Sequence, residues 1–295
     1  MDNYLIGGLV ANAASLGFHW VYNPEYLETL AKKQSLLFQL PNIEQYNEAG
    51  KSYFSYPLAK VGDFTSQGMF VIWLYEALKK NPNLSRADYE NLIYSKVRPG
   101  GDYNGYVESY SKMLVVNKLN ADLGLGFKDL VLSDDHLVGF IPYLVAKELD
   151  LSNEKAWDLA QVFTNKTEYP AFFNVFDYIL TRINQKPIQA LLKESIVYAP
   201  IQYQNKLSLS LEMKDTKSFI KDYAGISCHI PYSLPLIFHI LANSKSFEEG
   251  VEWNTRIGGA SSDRGLLLGA ILSKIYPVRK EWIKKINYRR SNEND

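Results

Sequence analysis

The chain has 295 residues, of which 46% are hydrophobic and 22% charged, with Lys+Arg and Asp+Glu both at 32. Such a composition supports a sizeable core and excludes a mainly disordered chain. The balanced charge creates no long-range field, so neither nucleic acid nor an acidic membrane is an expected partner.

The N-terminal apolar run lacks a basic region and is broken by Asn12 and Ser15, so it reads as a core helix and not as a signal peptide. His19-Trp20-Val21-Tyr22 follows it. Residues 41–64 are polar and turn-rich, which predicts a long loop or a short extended segment. From 65 to 80, apolar residues occupy nearly every face (Met69, Phe70, Ile72, Trp73, Leu74, Leu78), the pattern of a buried central helix. Ser85-Arg86-Ala87-Asp88 reads as a capping box opening a helix toward Val97. A third helix is expected from Gly105 to about Asn120. Asp134 or Asp135 is placed to cap one that carries Leu137, Val138, Ile141, Leu144 and Val145.

Helical spacing continues over 153–163, 171–184, 188–198, 216–224 and 231–242. Ser246-Phe247-Glu248-Glu249 is a second capping box, and its helix ends at Gly258-Gly259. Asp263 then stands where it can cap a helix of Leu266, Leu267, Leu268, Ile271 and Leu272. No hairpin dipeptide joins alternating strands and no crossover pattern occurs. The expectation is one all-α domain over 1–286, with 287–295 as a flexible tail. The basic residues Arg279, Lys280, Lys284, Lys285, Arg289 and Arg290 read as a solvated face and frayed end. The apolar run 265–272 is too short to span a bilayer. Cys228 is the only cysteine, which rules out an intrachain disulfide, suits a reducing compartment and leads to a cytoplasmic expectation.

The common catalytic signatures, such as a phosphate loop, a paired-histidine zinc helix or a serine elbow, are absent. Cys228 and His229 are neighbours in sequence, but adjacent side chains usually point apart, so a thiol nucleophile is not expected. The rings at 19–22 fit either a packed helix end or a wall that stacks on a flat ligand. Asp134-Asp135-His136 fits either capping or a polar site. The run Gly258-Gly259-Ala260-Ser261-Ser262-Asp263-Arg264-Gly265 fits a glycine C-cap followed by an N-cap, or backbone N–H groups placed to hold an anion.

The order of these segments resembles the ADP-ribosylglycohydrolase family, and within it the branch related to J-type lens crystallins. Gly8-Leu9-Val10-Ala11-Asn12-Ala13 is similar to the family's opening helix. Thr65-Ser66-Gln67-Gly68 lies where the family has Thr-Asp-Asp-Thr. Gly258 to Gly265 lies where it has Gly-Gly-Asp-Thr-Asp-Thr, or Gly-Gly-Asp-Ser-Ala-Ala-Arg-Gly in the crystallin-like branch. His19-Trp20 with Tyr22, Gly105-Tyr106, Cys228-His229 with Pro235, Asn254, Arg264-Gly265 and Glu281-Trp282 resemble that branch too. The likeness runs from about residue 4 to 284. It implies an all-α, orthogonally packed helical domain with a cleft lined by the first helix, the Thr65 helix and the Gly259 loop, with His19, Trp20, Tyr22, Gly258, Gly259, Ser261 and Arg264 facing an ADP-ribose-like ligand.

In active relatives paired aspartates hold two magnesium ions, because hard cations require anionic oxygens. Here those positions carry Ser66, Gln67, Ala260 and Ser262. Thr65 and Asp263 remain as possible ligands for at most one weakly held ion, so loss of the two-magnesium mechanism is expected. Hydrolysis of a glycosidic bond to ADP-ribose or a related nucleotide-sugar would then rest on Asp263, Asp135 or Asp63 as the base. The competing expectations are a catalytically inactive member with a ligand-binding or crystallin-like structural role, and a metal-independent hydrolase of another small amide or glycoside.

Overall fold

The computed structural model describes residues 3–125 and 135–288. The possible cap at Asp134 and tail residues 289–295 lie outside them. The described residues form an all-helical structure. Its helices are α1 (Asn3–Ser15), α2 (Pro24–Ala31), α3 (Ile43–Ala49), α4 (Ser66–Lys80), α5 (Arg86–Val97), α6 (Ser109–Asp122), α7 (Ile141–Glu148) and α8 (Asn153–Ala160). They continue as α9 (Tyr169–Leu180), α10 (Ile188–Ser195), α11 (Ile201–Glu212), α12 (Thr216–Phe219), α13 (Ile230–Asn243), α14 (Phe247–Ile257), α15 (Ser261–Ile275) and α16 (Lys280–Ile283).

Four of these form the centre: α1, α4, α13 and α15 are apolar on most faces, and a helix of that kind must be surrounded by others. Every residue from Ser261 to Leu272 in α15 is buried, as is every residue from Tyr4 to Ser15 in α1. The main apolar cluster reaches from Tyr4 to Ile286, and a smaller one gathers Phe18, Val21, Leu27, Leu36, Tyr46 and Ala49. Pro235 sits inside α13, where it cannot donate to the carbonyl of Pro231; Lys206 Nζ donates to that oxygen instead at 2.8 Å.

α1 and α15 touch backbone to backbone because small residues face each other. A Cβ on Gly269 would meet Ala11 Cβ and Gly7 O, each at 2.5 Å. A Cβ on Gly7 would meet Ser273 Cβ at 2.4 Å. Gly269→Val is therefore expected to cost about 2 kcal/mol or more by overpacking, read from urea unfolding. A loss below about 0.5 kcal/mol, the size of an ordinary surface change, would mean that the two helices separate freely.

The start signals at Ser85 and Ser246 operate: Ser85 and Asp88 form the reciprocal box, and Ser246 Oγ accepts from Glu249 N–H at 3.0 Å. Three expectations change. The segment 41–64 is not all loop, since Asn42 caps α3, whose Tyr46 and Ala49 fill the small core. α11 occupies a stretch in which no helix is expected, with Leu207 and Ser210 buried. Asp263 does not cap α15: the helix already begins at Ser261, and the Asp263 carboxyl turns sideways to Thr65. At the other end, Asn287 is tied down, its N–H donating to Gly62 O at 2.8 Å.

Candidate functional site

Residues 18–22 leave α1 and are held between two other segments. Trp20 N–H donates to Gly259 O and Gly259 N–H to Val21 O, both at 2.7 Å, while Tyr53 N–H donates to Trp20 O at 3.0 Å. Trp20 adopts φ +65, a left-handed backbone that bulky side chains seldom take and that this pairing enforces. The rings then make a wall. His19 stacks on Trp20 with centroids 4.6 Å apart, Trp20 meets Tyr106 edge-on at 5.3 Å, and Tyr22 meets Tyr53 edge-on at 5.9 Å.

A polar chain runs through the core beneath that wall. Asn12 Nδ2 donates to Thr65 Oγ1 at 2.9 Å and to Ser262 O at 3.0 Å, and Thr65 N–H donates back to Asn12 Oδ1 at 3.1 Å. The Thr65 hydroxyl donates to Asp263 Oδ1 at 3.0 Å. Ser262 N–H donates to His19 Nδ1 at 3.2 Å, which fixes the proton on Nε2, 3.5 Å from Asp263 Oδ2. Asn12, His19, Thr65 and Asp263 thus act as one unit drawn from α1, the α4 cap and α15.

Burial lowers the His19 pKa to about 3, with Arg264 adding to the effect, so the ring is neutral. The sign of the linkage follows. An imidazole whose folded pKa lies below 6.5 favours folding when unprotonated, so its contribution is present above pH 6.5 and is lost as pH falls toward about 3. His19→Gln is expected to remove that component, flattening the acid side of the stability profile relative to the native chain by up to about 1.4 kcal/mol per pH unit. Equal pH slopes in the two proteins would contradict it.

Glu108 is the residue that the sequence did not single out. It precedes α6 without capping it, and its Oε1 accepts from Ser66 Oγ at 2.9 Å. Only 5% of it is exposed. Burial raises its pKa to about 7, against the pull of the neighbouring Tyr110 and Ser66 hydroxyls and of the Lys112 charge. Asp263 is also raised well above the carboxylate range, first by burial and then by Glu108, with Thr65 and Arg264 opposing. The two acids interact across a buried interior, which favours at most one charge between them. Glu108 faces a cavity of about 520 Å³ lined also by Trp20, Tyr22, Tyr106, His136 and Cys228.

The other expected positions fall in different places. Asp63 accepts from Lys60 N–H at 2.8 Å and from Asn287 Nδ2 at 2.7 Å, beside a separate cavity of about 410 Å³. Asp135 accepts from His229 Nδ1 at 2.8 Å, a bond that holds its carboxyl below the usual range. Neither reaches Asp263 directly. Arg264 is fully buried and donates to Asn254 Oδ1 at 2.6 Å and to Gly258 O at 2.8 Å. The N–H groups expected to cradle an anion are spent internally: Gly259 to Val21 O, Ala260 to Ile226 O, Ser261 to Gly259 O and Ser262 to His19. A buried loop must satisfy its own donors. Ser261 Oγ, Ser262 Oγ and both amide atoms of Gln67 are buried with no hydrogen-bond partner among the described residues.

Glu108 gave little signal beyond following Gly105-Tyr106, whereas Asn12 had one, a polar side chain inside an otherwise apolar helix. No protein-family model matches the chain, and no curated protein matches its sequence. Among solved structures it is similar to an ADP-ribosylglycohydrolase-related protein complex, with a TM-score of 0.62 at 14% identity over 96% of this chain and 92% of the other. The helical architecture built around Thr65 and Asp263 is therefore the fold of an ADP-ribosylglycohydrolase-related protein.

Proposed function

We propose that the chain binds ADP-ribose or a related nucleotide-sugar and hydrolyses a glycosidic bond to it, with Glu108 as the working acid. The observation that carries this reading is Glu108 at the wall of an aromatic-lined cavity, with a pKa of about 7. A carboxyl poised near neutrality can both give and take a proton at working pH. Trp20, Tyr22 and Tyr106 supply flat faces for a purine, and 520 Å³ is within the range of small-molecule sites. The nucleotide-sugar ligand is taken from the sequence resemblance and from the name of the structural neighbour.

The residues present do not suit a pair of magnesium ions. Of the positions in question, Ala260 has no donor, Ser66 is committed to Glu108, and Gln67 and Ser262 offer neutral oxygens. The proposed steps are therefore carried by the protein's own groups. Protonated Glu108 gives its proton to the departing atom as the glycosidic bond breaks. Water adds its hydroxyl to the anomeric carbon, and the proton left over returns to the Glu108 carboxylate. Burial keeps the Glu108 proton affinity high, while Asp263, which accepts from the Thr65 hydroxyl, is itself raised by burial and by Glu108.

The second reading, ligand binding without turnover, is favoured by the 1% exposure of Asp263, which leaves Glu108 without an accessible carboxyl partner from the glycine loop. Melting of the purified protein with ADP-ribose, together with assays on ADP-ribosyl-arginine and ADP-ribosyl-serine with and without magnesium, separates the two. Stabilisation with magnesium-independent turnover supports hydrolysis. Stabilisation without turnover supports the second reading. Neither effect with ADP-ribose at 100 times a micromolar dissociation constant, where about 2.7 kcal/mol is due, would overturn both.

A further inference from the structure

Two segments that lie far apart in sequence are zipped together at the cavity. Residues 135–137 and 228–230 run antiparallel: Leu137 N–H donates to Cys228 O at 3.0 Å, Ile230 N–H donates to Asp135 O at 2.7 Å, and His136 and His229 form the bridge between them. This pairing brings one side-chain donor atom from each of His136, Cys228 and His229 to within 4.8 Å of one another. The two imidazole centroids lie 4.2 Å apart. Asp135 stands behind the group and accepts from His229 Nδ1 at 2.8 Å, so His229 would ligate through Nε2.

We propose that His136, Cys228 and His229 form a mononuclear site for a borderline divalent cation of the zinc class, with Asp135 as the positioning carboxylate behind His229. The donor set fits that cation. One thiolate and two neutral imidazoles favour zinc-like ions over magnesium or calcium. A carboxylate that accepts the other N–H of a ligating histidine is the common outer support of such sites. In a tetrahedral zinc centre the donor atoms lie roughly 3.3–3.6 Å apart. The observed spacing asks for closure by about 1 Å, within reach of the cysteine and histidine side-chain torsions.

The surroundings are suited to a cation. Binding draws on His136 and His229 as neutral imidazoles. Burial and the nearby carboxyls of Glu108, Asp263 and Asp135 push the Cys228 thiol up. Without a cation the thiol therefore keeps its proton. Binding releases that proton to solvent and leaves the thiolate on the ion. His136 and Cys228 both line the 520 Å³ cavity, so the fourth coordination position opens there, toward Glu108. The inference does not depend on the proposed hydrolysis.

The test uses the full chain, stripped by chelator and dialysed, then titrated with cobalt(II) alone and with zinc against a chromophoric competitor. One cobalt per chain with a sulfur-to-cobalt charge-transfer band is expected. Cys228→Ser should abolish the band, and Asp135→Asn should keep it while weakening zinc 10- to 100-fold. His136→Asn serves as an independent ligand variant should Cys228→Ser fail to fold, with far-ultraviolet circular dichroism as the check on each metal-free protein. Cobalt bound without a thiolate band, zinc affinity unchanged in both Asp135→Asn and His136→Asn, or no binding at all would overturn the site. None of these outcomes bears on whether Glu108 hydrolyses a glycoside.

Discussion

Glu108→Gln is expected to abolish proton transfer while leaving the aromatic wall intact, lowering hydrolysis of an ADP-ribosyl bond by about 100- to 10,000-fold. Its effect on ADP-ribose binding should be small, because Glu108 is one acid on a wall made mostly of rings. The same variant carries a second, opposite signature. A carboxyl whose folded pKa is raised from 4.5 to about 7 favours folding only while protonated. Its folded form retains a proton that the unfolded chain has already released, so stability falls as pH rises through that window and levels off above it. Glutamine keeps the buried shape and has no proton to lose. The variant should therefore equal or exceed the native chain in stability at pH 8, by something of the order of 1–3 kcal/mol, and lose that advantage near pH 4.5. Urea unfolding at the two pH values measures it. Full turnover in Glu108→Gln would remove Glu108 from the chemistry, whatever the stability result.

The largest stability effect is expected at Arg264. Its guanidinium is wholly buried and ties the glycine loop to α14: Nε to Asn254 Oδ1 at 2.6 Å, and one terminal nitrogen to Asn254 O at 3.2 Å and Gly258 O at 2.8 Å. Burial lowers its pKa only to about 10, so it remains charged at neutral pH. Arg264→Leu would leave these carbonyls dry and unpaired, and Arg264→Lys offers one compact ammonium where a fork is needed. Losses of about 3–5 kcal/mol are expected for Arg264→Leu and not much less for Arg264→Lys. Chemical denaturation checks both, and a loss under about 1 kcal/mol in either would show that the loop holds its shape without the fork.

What the sequence made legible divides along physical lines. α4 and α15 announced themselves because a helix with apolar residues on every face has nowhere to go but the centre. The serine caps of α5 and α14 were legible because capping is local. α3 was hidden by its polarity, since only Tyr46 and Ala49 reach the core and seven residues give little period to detect. The polar chain under the cleft was half visible. Thr65 and Asp263 stood in suggestive runs, but their bond joins residues 198 apart, and nothing local tells a carboxyl to turn sideways instead of capping its helix. Glu108 was harder still, because what distinguishes it is its surroundings, Ser66 and a cavity wall, and Asp135, although it stood in a suggestive run, finds its partner His229 94 residues away.

The close seam between α1 and α15 has a consequence for how the protein is made. Asn12 and Ser262, which that seam brings within hydrogen-bonding distance, are separated by 250 residues. On a ribosome adding 5–20 residues per second, α1 would wait roughly 10–50 s for the helix it packs against. Throughout that interval its nearly all-apolar surface would stand without its native partner, exposed to chaperones and to other nascent chains. Efficient synthesis should therefore depend more on what shelters α1 than on how fast the helices between it and α15 fold.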